Sequence, residues 1–205
     1  MSYRTYFNKI VIQQYPDQAI NLLHETDKNY THIAKDIAFS KKSSNPIDKR
    51  LDFVAYILSF IQVMEKAGFE YESIKVCCMD ITYAYVKPKN KIQVWLKQLP
   101  AKLVNTKIAR FVLKLMDRKI SRKGHADGFL AKLILDKEQT YGLGYGFDIL
   151  ECGICILFKK HGFEKYSSIL CEVDKVTSDM AGLELIRTGT IANGSEKCDF
   201  RFKKK

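Results

Sequence analysis

Apolar residues recur every three to four positions through the first half of this chain. Between residues 14 and 38 they fall at Ala19, Ile20, Leu22 and Leu23, then at Ile33, Ala34, Ile37 and Ala38. That spacing predicts helix with one buried face. The polar run 40–46, SKKSSNP, interrupts it and ends on Pro46, a strong punctuator of helices. The stripe resumes over Ile47–Ala67 through Leu51, Val54, Ala55, Leu58, Ile61 and Met64, and Gly68 stands where a C-terminal cap belongs. Residues 70–86 mix β-branched and aromatic residues with a helical period at Ile74, Cys77, Cys78 and Ile81, and the period predicts helix. After a second break at 87–90, KPKN, helical segments are expected over 91–98 and 101–119, divided at Pro100.

The pattern changes near Gly124. The stretch GFLAKLILDKEQTYGLGYGFDIL reads as two strands around a polar turn at Asp136–Thr140. Gly142, Gly144 and Gly146 alternate along the expected second strand, which would leave one of its faces bare. Short helices fit 153–160 and 163–180, and a hairpin fits 183–192 with 197–203. The fold class expected is α+β: a helical N-terminal half, then a small antiparallel sheet with flanking helices. The division falls at 1–123 and 124–205, unless residues 1–205 form a single domain.

A chain of 205 residues can bury a core without disulfide or metal staples. Its net charge of +11 is compatible with nucleic acid, anionic lipid or acidic substrates. The Lys and Arg residues are spread rather than gathered in a block interleaved with aromatics, so a solvated surface is expected and no nucleic-acid partner. Residues 1–12 lack the apolar stretch of a signal peptide. No run approaches the roughly 20 apolar residues of a membrane span, so no membrane partner is expected. The expected location is cytoplasmic, with reduced thiols at residues 77, 78, 152, 155, 171 and 198. Cys77 and Cys78 are expected in the core.

The chemistry gathers in the last third. Cys171 and Asp174 are three apart and share a helix face. Arg187 and Cys198-Asp199 lie on the two arms of the expected hairpin. A thiol beside a carboxylate and a guanidinium can attack an electrophilic carbon and hold an anionic substrate. Each residue also has an ordinary reading: a packed thiol, a solvated Asp174, an Asp199 paired with a lysine, an Arg187 paired with Glu184 or Glu196. Cys152 and Cys155 form a C-x-x-C, which needs two further ligands for zinc, from Cys171, Cys198 or His161. His161 fits a helix C-terminus, while His24, His32 and His125 carry no clear signal. Phosphate-binding glycine loops, G-x-S-x-G and H-E-x-x-H are absent.

These residues resemble the L-2-amino-thiazoline-4-carboxylic acid hydrolase family. The likeness runs over about 140–202: Cys152, then Cys171 with Asp174, Arg187-Thr188-Gly189-Thr190, Gly194, and Cys198-Asp199-Phe200. Gly153 stands where proline often follows the family's first cysteine. The resemblance implies hydrolysis of a non-peptide C–N bond in a small cyclic amidine-like carboxylate, giving N-carbamoyl-L-cysteine. A thiolate or an activated water would attack. The catalytic candidates are Cys171, Asp174, Cys198 and Asp199. Cys152, Arg187, Thr188 and Thr190 would bind substrate. No cofactor or metal is expected, and a homo-oligomer stays open. The other reading is a non-catalytic ligand, metal or thiol sensor using the same pocket.

Overall fold

In the computed structural model, residues 2–205 are described. The helical half contains α1 (Arg4–Gln14), α2 (Ala19–Asp36), α3 (Leu51–Lys66), α4 (Tyr71–Val86), α5 (Lys91–Leu103) and α6 (Lys107–Ile120). α3 is the hub. Every residue from Val54 to Ile61 is buried, the mark of a helix surrounded on all sides. α1 was not anticipated, because only Phe7 and Val11, one turn apart, are buried on it. Phe7 meets Tyr56 of α3 edge-on at 4.7 Å, a favourable aromatic geometry.

The division expected at Pro100 falls elsewhere. α5 runs through position 100, and the break lies at 104–106. A proline removes one backbone donor, but the chain stops where a new cap is available: the Thr106 hydroxyl accepts from Ala109 N at 3.2 Å.

The second half holds β1 (Leu130–Ile134), β2 (Gly146–Glu151), α7 (Gly153–Lys160), α8 (Ser167–Met180), β3 (Leu183–Ile186) and β4 (Cys198–Lys204). The strands form one antiparallel sheet in the order β1-β2-β4-β3. The architecture is α+β. Gly142 and Gly144 do not lie on β2. Their φ values of 80° and 70° follow Tyr141 at 52°, so they build a left-handed turn that β-branched and bulky residues avoid. Only Gly146 is in the strand, where an added Cβ would lie 2.8 Å from the Phe200 carbonyl oxygen. β3 also stops short of the expected 192, and residues 187–190 leave the ladder.

A buried latch joins the halves. Asn45 donates to the Phe129 carbonyl at 2.8 Å, and Asp48 accepts from Phe129 N at 2.8 Å. One apolar cluster runs from Phe7 and α3 to Phe129, Cys152, Phe158 and Ile169. Among the described residues, no helix is long and apolar enough to cross a membrane.

Candidate active site

The register of β2 and β4 builds one wall of a small cavity. Phe147 lies opposite Phe200 and Ile149 opposite Cys198, so these four side chains share a sheet face. The two rings stack at 4.3 Å. α8 supplies the facing wall with Leu170, Cys171 and Asp174, Cys152 enters from just before α7, and Arg50 stands at the foot of α3. The enclosed volume is about 50 Å³. A larger groove of about 720 Å³, lined by residues such as Asn29, His32 and Gln62, contains none of the expected site residues.

Arg187 does not line the cavity itself; its Nη1 donates to Asp174 Oδ2, which does, at 3.1 Å, and its Nη2 donates to the Cys171 carbonyl at 3.1 Å. The guanidinium also sits 5.2 Å from the Phe200 ring centre. Its partner is therefore Asp174 rather than Glu184 or Glu196. Burial raises the Asp174 pKa above the ordinary carboxylate value, against the opposing pull of Arg50 and Arg187. A carboxyl whose pKa is raised, at the wall of a cavity, is suited to accepting and returning a proton.

A model of the L-2-amino-thiazoline-4-carboxylic acid hydrolase family matches residues 57–202. This chain belongs to that family. No curated protein and no solved structure matches it. The thiazoline-carboxylate hydrolase match begins inside α3 and ends in β4, so it takes in Cys152, Cys171, Asp174, Arg187 and Cys198. It leaves out Arg50, which sequence reasoning also missed. Arg50 is exposed, lines the cavity, and makes no ion pair or side-chain hydrogen bond among the described residues. Nothing local marks it, because its link to Asp174 spans most of the chain.

In this family member the cavity thiols are disfavoured as thiolates. Burial, then the Asp174 charge, pushes Cys171 up to about 12. Its Sγ finds only the Ser167 carbonyl, at 4.0 Å. Burial also raises Cys198, whose sulfur accepts from Ile191 N at 3.2 Å. Cys152 is raised well above its usual value, first by its hydrogen bond with Cys155 and then by burial. Among the described residues, no three of His, Cys, Asp or Glu converge as a metal cluster. His161 caps the C-terminus of α7, and its Nε2 is 3.0 Å from Asp36 Oδ2. His125 stacks on Phe39 at 3.9 Å.

Besides Arg187, three expected site residues lie outside the cavity lining. Asp199 points from the opposite sheet face to Cys198 and accepts from Gly189 N at 2.9 Å, Thr188 N at 3.0 Å and the Thr188 hydroxyl at 2.8 Å. Burial alone would raise its pKa, but these bonds outweigh it and the value is lowered. The partners are the 188–189 turn, not a lysine. Thr188 is exposed. The Thr190 hydroxyl is buried and has no hydrogen-bond partner.

Proposed function

We propose that this protein hydrolyses a small cyclic amidine-like carboxylate of the L-2-amino-thiazoline-4-carboxylate type, with Asp174 moving the proton. The observation that supports this most directly is the convergence of Cys152, Cys171, Asp174 and Cys198 on one cavity. The ring carbon of such a substrate carries one sulfur and two nitrogens. Protonation of the ring nitrogen makes that carbon electrophilic. Asp174 takes a proton from water, whose oxygen adds to the carbon. The C–S bond then breaks as the new C–OH becomes C=O and releases its proton to solvent, balancing the one the ring nitrogen took from solvent, and the departing sulfur receives the proton from Asp174. Both nitrogens stay on the carbon, so the product is N-carbamoyl-L-cysteine. Atom balance thus puts the cleavage at the ring C–S bond rather than at a C–N bond.

Water is the nucleophile in this reading because no base is hydrogen-bonded to the Cys171 thiol, whose pKa burial has pushed up to about 12. Cys152, Cys171 and Cys198 act as neutral, polarisable lining around the substrate ring. Arg187 fixes the position of Asp174. Arg50, which makes no ion pair or side-chain hydrogen bond among the described residues, receives the substrate carboxylate. Asp199 and Thr188 support the turn that leads out of Arg187.

The test is incubation with L-2-amino-thiazoline-4-carboxylate, following N-carbamoyl-L-cysteine by mass spectrometry. The wild type is expected to turn over without a covalent adduct, Cys171→Ser to retain most activity, and Arg50→Gln to raise KM by roughly 10- to 100-fold. An acyl-type adduct on Cys171 would replace water with the thiol as nucleophile. No product would reject the substrate assignment.

A further inference from the structure

α6 carries its apolar stripe on the outside. Ile108, Phe111, Val112, Leu115 and Met116 fall at the one-face spacing of a helix, and all are exposed, Ile108 by 79% and Phe111 by 63%. The helix is anchored by its other side. Leu113 packs on the sheet core, Ile120 is buried, and Asp117 accepts from Leu133 N at 2.8 Å. α5 repeats the arrangement with exposed Ile92, Trp95, Leu96 and Leu103. Burying such a stripe releases water, so something covers it in use.

The charge says what. Residues 91–120 carry eight Lys or Arg against the single acidic Asp117, a net +7 of the chain's +11. The one carboxylate is turned to the protein, bonded to Leu133. A second copy of this face would bring +7 against +7 and be repelled. Outward Trp, Phe and Leu flanked by lysine and arginine match a helix lying in an anionic lipid interface.

We propose that α5 and α6 form a docking surface for anionic lipid membranes, with the apolar stripes among the acyl chains and the basic residues at the headgroups. Lying on a surface needs no spanning segment, so the expectation of no membrane partner, which rested on that, does not bear on it.

Trp95 is the only tryptophan in the chain and reports directly. The full-length protein is mixed with vesicles of phosphatidylcholine, with or without phosphatidylglycerol, and followed by flotation and Trp95 emission. The expected result is a blue shift and co-flotation with phosphatidylglycerol vesicles, about tenfold or more tighter than with neutral ones, and weakened by salt. Phe111→Ser/Leu115→Ser should abolish both with an unchanged thermal midpoint, since both positions are exposed. No binding, equal binding to neutral vesicles, or wild-type binding by the double variant would overturn the proposal. So would an equal Trp95 shift with polyglutamate, which assigns the surface to an acidic protein, or a vesicle-free dimer that covers Trp95.

Discussion

Arg187 Nη1 lies 3.1 Å from Asp174 Oδ2, and the same guanidinium holds the Cys171 carbonyl one helical turn earlier. One side chain from the end of β3 thus fixes both the carboxyl and the backbone of α8. Arg187→Met should lose about 2 kcal/mol of stability, the scale of hydrogen bonds to a charged group, read as a lower urea midpoint. Arg187→Lys keeps the charge but not the planar fork. It should fold and lose roughly tenfold in kcat/KM. Unchanged kinetics in the lysine variant would remove Arg187 from the positioning role.

Two aspartates should give opposite pH responses in unfolding. Burial would raise Asp148, but its bonds to Lys197 and Arg201 outweigh this and lower its pKa. Its contribution is present above the unfolded carboxylate value and is lost as pH falls through the folded one. Asp148→Asn should therefore weaken the protein at neutral pH by about 1–3 kcal/mol and flatten its acid limb. Asp174 has the opposite sign. Its folded pKa is raised, so its ionisation weakens the fold as pH rises from the unfolded value through the folded one. Asp174→Asn should raise the thermal midpoint at neutral pH. Parallel melts from pH 3 to 8 check both, and identical profiles for both variants would contradict the assigned directions.

The unpartnered Thr190 hydroxyl sits in a buried position. Thr190→Val replaces it with a methyl and removes an unsatisfied polar group, which should stabilise by about 1 kcal/mol in urea unfolding. A loss of substrate affinity without that gain would mean that the hydroxyl is reserved for ligand.

Gly146 is held by contact rather than by backbone angle. Gly146→Ala would place a Cβ 2.8 Å from the Phe200 carbonyl oxygen and 3.0 Å from Arg201 Cδ. The ladder beside the cavity should loosen, at a cost of about 1–3 kcal/mol. Calorimetry that shows no change would contradict the tight β2–β4 packing.

Local periodicity carried much of the fold. α3 and α4 bury the residues their spacing selects, such as Leu58 and Ile74, and α8 falls within the helix expected over 163–180. The Cys171–Asp174 pair was legible because three residues is one helix turn. The β4 alternation that turns Cys198 inward and Asp199 outward was equally local. What escaped depends on distant contacts. Arg50 acts on Asp174 only once the turn before α3 and the α8 helix line the same cavity. Arg187 has acidic neighbours in sequence at Glu184 and Glu196, yet pairs with Asp174. Gly142 and Gly144 fit the strand pattern by spacing but are needed for their positive φ, which spacing alone does not encode. α5 continues through position 100 because the following cap sits at Thr106.

The most direct measurement is kcat for L-2-amino-thiazoline-4-carboxylate in the wild type and in Asp174→Asn, with folding verified by the thermal midpoint. The account predicts N-carbamoyl-L-cysteine from the wild type and a loss of roughly 10²- to 10⁴-fold in the variant, the usual range for removing a general acid–base group. Turnover in Asp174→Asn within a few-fold of wild type would contradict it.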